Sequence, residues 1–328
     1  MRKAKGIFLL CSVSILCFLI LPSMSEAQKK PIVLKAVTGF AKQTFWTEAF
    51  WMFQDRVNKE LKEELNITYA GGPEAIPPFD QIEAVRKGLA DLALLPGAFY
   101  VPQVPEVDAL KLSELMAWEE RKTGAYDLMR ELVEKKANAF YIGRVNSGVE
   151  FFIYTNIPVK KADFTGLKIR VTPIYEPFVR ALGGVPVTTA PGEVYSALQQ
   201  KVVDGYGWPS LGVMDLGWHE VTKYVIDHGF YQTEVGILIN LDTWKKLPES
   251  VQKRVKEIML QVERDSSARS KEMVEKDRKA LKDKGLTFIT LPPPEAKTYI
   301  ETAYRVGWEK VIARSPEYGP RLRNLLKK

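Results

Sequence analysis

The chain has 328 residues, 46% of them hydrophobic and 27% charged, with a formal net charge of +7. That composition belongs to a soluble globular protein large enough for two lobes, and it excludes the disordered and fibrous classes. Much of the positive excess falls between Lys245 and Lys284, where basic and acidic residues alternate as on a solvated helix face, so no nucleic-acid partner is expected.

The amino terminus reads as an export address. Arg2, Lys3 and Lys5 precede an apolar run over residues 7–21, and Ser25-Glu26-Ala27 follows, the pattern of a secretory signal peptide cleaved after Ala27. The run is about 15 residues long, short of the roughly 20 that span a bilayer, which speaks against a membrane anchor. Both cysteines, Cys11 and Cys17, lie in this segment, and no small residue precedes Cys17 to favour lipidation. A free periplasmic protein is expected, without disulfides, cysteine nucleophiles or cysteine metal ligands. Loss of three basic groups and Glu26 lowers the formal charge from +7 to +5, a mild positive field that favours capture of small anions.

In the mature chain a β-branched run predicts a strand over 32–37. After Gly39, residues Trp46, Phe50, Phe53, Val57, Leu61 and Leu65 recur every three or four positions and predict an amphipathic helix. A strand over 66–70 ends at Gly71-Gly72-Pro73-Glu74. Pro77 and Pro78 then start a second helix, with Phe79, Ile82, Val85 and Leu89 as its inner stripe, ahead of a strand over 92–95. This β-α-β-α-β order makes a first lobe, and Pro96-Gly97-Ala98-Phe99-Tyr100 at the third strand's carboxyl end is a candidate cleft wall. Helical stretches over 110–118 and 123–136 lead to strands over 140–144 and 150–155, with Gly148 between them suited to a crossing between lobes.

The segment 166–209 repeats the β-α-β-α-β order and places Arg170 and Trp208 at strand ends, where ligands gather in α/β folds. A loop or helix over 211–218 and a short strand over 224–226 follow, and an apolar strand over 235–240 returns the chain to the first lobe. From Pro248 a helical pattern runs to about Lys284, roughly 50 Å at 1.5 Å per residue. A helix of that length exceeds one lobe and is expected to lie across both, with Gly285 as its stop. A strand over 287–290 and a last helix over 295–313 complete the chain. The expected division is a signal peptide over 1–27, lobe I over 28–148 and about 235–272, and lobe II over 149–234 and about 273–328.

This combination resembles the solute-binding proteins of tripartite ATP-independent periplasmic (TRAP) transporters, of the DctP type. The resemblance covers nearly the whole mature chain and is carried by Gly71-Gly72-Pro73, GLADLAL, GLKIRV, GEVYSALQQKVVDG and the long late helix. It implies an α/β, two-lobed periplasmic-binding-protein-like fold with the ligand cleft between lobes and a long helix spanning both. It also implies an organic acid as ligand, TRAP membrane subunits as partners, a monomer, and neither cofactor nor catalysis. In that family the arginine of the GLKIRV motif pairs with the ligand's carboxylate; here it is Arg170.

Guanidinium chemistry suits that role, because its planar fork of donors matches a carboxylate. The alternative is a structural pair between Arg170 and Glu176 or Glu193. Two departures bear on the ligand. Many relatives carry asparagine where this chain has Trp208, in VDGYGWP, and many carry a second arginine shortly after the glycine equivalent to Gly148, where this chain has Val149-Glu150-Phe151-Phe152. A monocarboxylate with an apolar or aromatic body is therefore expected, rather than a dicarboxylate.

Further wall candidates follow from position: Phe45 and Trp46 opening the first helix, Glu74 in the second loop, Gly97, Phe99 and Tyr100 in the third, and Glu150 after the crossing. Thr172 and Pro191 match positions that line the family's cleft, and Tyr206 and Tyr231 offer phenolic hydroxyls. His219 and His228 lack cysteine partners and catalytic motifs, so no metal site is expected. A ligand sensor for a signalling partner is the alternative function. A carboxylate-dependent exported enzyme using Glu74, Glu150 or Glu193 is the remaining one, although no spacing singles out a pair.

Overall fold

The structure is a computed structural model that describes residues 30–328; the signal peptide expectation and both cysteines lie outside the described residues. Among the described residues no helix is long and apolar enough to cross a membrane. The chain forms two mixed sheets. Strands β1 (Ile32–Thr38), β2 (Leu65–Gly71), β3 (Leu92–Pro96) and β4 (Ala139–Val145) are followed by β5 (Glu150–Thr155), β6 (Lys168–Val171), β7 (Val185–Thr188) and β8 (Gly205–Pro209). Last come β9 (Tyr224–Gln232), β10 (Val235–Asn240) and β11 (Thr287–Ile289).

One sheet has the order β2-β1-β3-β10-β4 and the other β11-β9-β5-β8-β6-β7. In each, three parallel strands take the same arrangement, β2-β1-β3 and β7-β6-β8, and an antiparallel strand closes the third. The chain passes between sheets three times, from β4 to β5, from β9 to β10 and, through the long helix, from β10 to β11. β3, β4 and β10 are buried along their whole length, as expected of strands covered on both faces. The long helix, Glu249–Asp283, packs on β4 and on the first helix, Phe45–Glu60, and then extends to the second lobe, where Arg278 holds Asp227 of β9 at 2.5 Å.

Several elements differ from the sequence reading. The first helix ends at Glu60, so Leu65 opens β2 instead of closing the helical stripe. Asn58 enforces this by bonding both the N–H and the carbonyl of Ile67 at 2.7 and 2.9 Å, which ties the strand back onto the helix. No single helix covers 110–118: a 3-10 helix, Pro105–Leu112, stops where Ser113 turns extended, and a new helix runs Ala117–Thr123. β9 has nine residues instead of the expected three. Its polar middle hid it, with the Glu150 carboxylate lying against Gly229. A further helix, Gly319–Leu325, follows the last expected one.

Candidate functional site

The carboxyl ends of β1, β3, β6 and β8 converge between the two sheets, as parallel strands with the same internal order predict when two lobes face each other. They enclose a chamber of ≈ 40 Å³, room for about three waters at roughly 10–15 Å³ each. Phe40, Trp46, Pro96 and Phe99 line it from the first lobe, and Phe151, Thr172, Tyr175 and Trp208 from the second. Trp208 stands edge-on to Trp46 and to Phe40, with ring centres 6.4 and 6.3 Å apart. Across the same opening Phe45 N–H, at the start of the first helix, donates to Asp215 of the second lobe at 2.8 Å. The lobes are thus in contact over the chamber.

Arg170 sits on β6, one strand in from the edge of the second sheet, paired with Val187 of β7 and Tyr206 of β8, and is 0% exposed. Its Nε and Nη2 donate to Thr189 O at 3.1 and 2.6 Å, and Nη1 donates to Tyr175 Oη at 3.2 Å. Its guanidinium lies 5.8 Å from the centre of the Trp208 ring. Both contacts, Tyr175 and Trp208, line the chamber. Tyr175 reaches this position because Gly207 makes room: a Cβ there would lie 2.5 Å from the tyrosine ring, whose hydroxyl donates to Gly207 O at 2.7 Å.

No carboxylate of the described residues forms an ion pair with Arg170. Glu176 pairs instead with Arg180 at 2.9 Å, and Glu193 accepts from Ala190 N–H at 3.2 Å. Burial lowers the Arg170 pKa, opposed by Tyr175 and the more remote Glu193. A buried cation without an anion is unfavourable, so the site is electrostatically incomplete by one negative charge. Thr172 Oγ1 and Trp46 Nε1 are also buried without a hydrogen-bond partner, and both side chains belong to the chamber wall.

Of the residues expected from sequence, Trp46, Phe99, Thr172 and Trp208 line the chamber, and Arg170 adjoins it through Tyr175 and Trp208. The others are placed elsewhere. Glu74 accepts from Gly72 N–H at 2.7 Å and closes its own turn. Phe45 packs on Trp46, Tyr100 is wholly buried in the first lobe, and Pro191 opens a 3-10 turn. Tyr206 stacks on Tyr154 and exchanges a hydrogen bond with Thr222, while Tyr231 donates its hydroxyl to Ala303 O at 2.7 Å. The Glu150 carboxylate rests against Gly229. Neither histidine meets a metal-binding cluster among the described residues, and His228 accepts from Leu291 N–H at 2.8 Å.

Sequence reasoning missed Phe40, Phe151, Tyr175 and, most consequentially, Glu234, which lines the chamber where β9 hands over to β10. Val235 lies opposite Pro96, so the next residues outward, Glu234 and Gly97, face each other, and Gly97 N–H donates to the Glu234 carboxylate at 2.6 Å. That proximity explains the glycine. A Cβ at 97 would lie 3.0 Å from the carboxylate and 2.6 Å from Val107. The available signal was a single acid at the head of an otherwise apolar strand.

Burial pushes the Glu234 carboxyl up to about 8, against the pull of the Gly97 and Ala98 N–H groups. A folded-state value above the ordinary 4.5 means that the folded protein holds this proton more tightly than the unfolded chain. The resulting stabilisation is fully present below 4.5 and is lost as pH rises towards 8. Glu234→Gln, which keeps the acceptor for Gly97, should therefore flatten the fall in unfolding temperature across that interval. Thermal melts followed by circular dichroism at stepped pH test this, and parallel pH profiles for the two proteins would contradict it.

Residues 37–314 match the family described as bacterial extracellular solute-binding protein, family 7, or DctP. The C4-dicarboxylate-binding periplasmic protein DctP of Rhodobacter capsulatus is 24% identical over 308 residues, 89% of this chain and 86% of its own length. Among solved structures, a TRAP periplasmic solute-binding protein from Desulfovibrio salexigens with bound orotic acid superposes with a TM-score of 0.81. It is 20% identical, over 90% of this chain and 97% of that one. A Bordetella pertussis extracytoplasmic solute receptor binding pyroglutamic acid gives 0.79 at 18% identity, over 90% and 99%. At these identities the likeness to solved structures is one of fold.

Proposed function

Because the chain belongs to family 7 of the bacterial extracellular solute-binding proteins, the DctP-type receptors of TRAP transporters, we propose that it binds a small monocarboxylate at Arg170 and delivers it to such a transporter's membrane subunits. The chain is a transport receptor and not an enzyme, since its family and its structural neighbours are solute-binding proteins. The observation that carries the ligand class is the buried guanidinium of Arg170, with carbonyl and hydroxyl neighbours but no acid, beside an apolar chamber. A carboxylate supplies the missing charge through two parallel N–H···O bonds.

One charge is also the limit. Arg144 is committed to Glu120 at 2.6 Å, and Phe151 occupies the wall shortly after Gly148. A second carboxylate would meet Phe40, Phe99 and Phe151 and lose its hydration with no second cation in the lining to pair it. The acids named for the two structural neighbours, orotic and pyroglutamic acid, each carry a single carboxyl group and agree with this reading. The ≈ 40 Å³ chamber favours a short acid, with an aromatic body requiring the lobes to part further. In this reading lobe I comprises 28–148 and about 235–272, lobe II the remainder of the mature chain, and the receptor acts as an extracytoplasmic monomer closing about its three crossings.

A thermal-shift screen comparing short monocarboxylates, dicarboxylates, sugars and simple cations tests the proposal, supported by native mass spectrometry of the protein as purified. A monocarboxylate should stabilise most. Stabilisation by a sugar or a dicarboxylate with no response to any monocarboxylate would refute the assignment.

A further inference from the structure

A second concavity lies away from the chamber, on the side of the β4-to-β5 crossing that faces the long helix. It measures ≈ 430 Å³, and is bounded by Met116 and Trp118, by the crossing residues Ser147, Gly148 and Val149, and by the long helix from Arg264 to Glu275. We infer that this groove is a binding site for a small oxyanion, separate from the ligand chamber.

Arg264, Ser267 and Lys271 stand at positions i, i+3 and i+7, one face of the helix, with the outer two about 10 Å apart along its axis. Two long cationic side chains therefore bracket one short hydroxyl. Neither cation forms an ion pair with any acid among the described residues, whereas Arg269, between them in sequence, holds Glu48 and Glu272. The Arg264 guanidinium lies 4.9 Å from the centre of the Trp118 ring, a stacking contact that spends its face and leaves its N–H edge for an acceptor. Glu275 is the one carboxylate in the lining, so the wall carries a net positive charge of one.

The second observation is Ser267 itself. It is 6% exposed, and its Oγ has no hydrogen-bond partner. Its neighbours are engaged: Ser266 Oγ accepts from Asn146 N–H at 3.1 Å, and Ser270 Oγ donates to Ser266 O at 2.8 Å. A buried hydroxyl left unpaired is unfavourable, and an oxyanion seated between Arg264 and Lys271 gives it an acceptor. Met116, Trp118 and Val149 supply apolar lining beside these groups.

The test follows the indole N–H resonance of Trp118 by two-dimensional NMR on the full mature chain, identified by its loss in Trp118→Phe. Inorganic phosphate and acetate are titrated separately at constant ionic strength held with sodium chloride, acetate in an Arg170→Ala background to silence the chamber. A saturable shift with either anion, weakened tenfold or more by Arg264→Gln with Lys271→Gln and threefold or more by Ser267→Ala, supports the site. The stronger of the two identifies phosphate or carboxylate chemistry. Absence of saturation with both anions, or a shift unchanged in the double variant, overturns the inference.

Discussion

Arg170→Met should abolish ligand binding while leaving the empty protein as stable as the parent, or more so. In the bound state the pair between guanidinium and carboxylate is enclosed, and breaking such a pair from one side costs about 3–5 kcal/mol, two to three and a half decades of affinity. In the empty state the balance reverses. Arg170 is wholly buried with only Thr189 O and Tyr175 Oη for partners, and an apolar side chain of similar length removes a desolvated charge without stranding an acid. Calorimetric titration with the stabilising carboxylate and urea unfolding of the ligand-free protein read the two effects separately. Near-parent affinity in the variant would falsify the role, and a large loss of stability would show that Arg170 is chiefly a structural residue.

The second large effect is expected at the crossings between lobes. Arg144 of β4 is 1% exposed and donates to Glu120 through Nε and Nη2 at 3.0 and 2.6 Å, to Leu115 O at 2.9 Å and to Thr233 O at 3.0 Å. Gln232, at the end of β9, accepts from both Arg144 and Gly148 N–H. One guanidinium thus ties the start of the first crossing to the second, beside Tyr231, whose φ of +35° stores backbone strain where the register of β9 against β5 shifts. Glu120→Ala leaves that cation buried and unpaired and should destabilise the protein by about 3–5 kcal/mol in denaturant unfolding. Adding Arg144→Met should recover most of the loss, because removing both partners removes the uncompensated charge. If the double variant is no more stable than the single, the network holds the crossing by geometry rather than by charge pairing.

The two arginines differ in their neighbours. Arg144 is supplied with an internal acid and serves the crossing. Arg170, at similar burial, has no such acid among the described residues, and the role proposed for it rests on that difference. The Glu234 carboxyl adds a third variant, an acid kept protonated near neutrality by burial beside the chamber.

Much of the architecture was legible in the residues because periodicity is local. Apolar spacing located the first helix, the long helix and the short parallel strands, and Gly285 at φ +93° closes the long helix where the sequence placed its end. Errors fell where local pattern and tertiary environment disagree. β9 carries Asp227, His228 and Gly229 in its middle, yet these groups find Arg278, Leu291 N–H and the Glu150 side chain, all distant in sequence, as partners only once the second lobe has folded. The break between the 3-10 helix and Ala117 is set by Ser113 and Glu120 packing around Arg144, distant in sequence.

The sequence alone determined the class of protein, its two α/β units, the long connecting helix and the arginine at the end of β6, because each depends on spacing along the chain or on a motif of contiguous residues. Only the tertiary structure decided which aromatic rings wall the chamber, that Tyr206 and Tyr231 turn their hydroxyls elsewhere, that Glu234 lines the chamber, and that neither Glu176 nor Glu193 forms an ion pair with Arg170. The reason is that burial and charge pairing are properties of neighbours in space, and those neighbours are drawn from two lobes whose contacts join residues far apart in the chain.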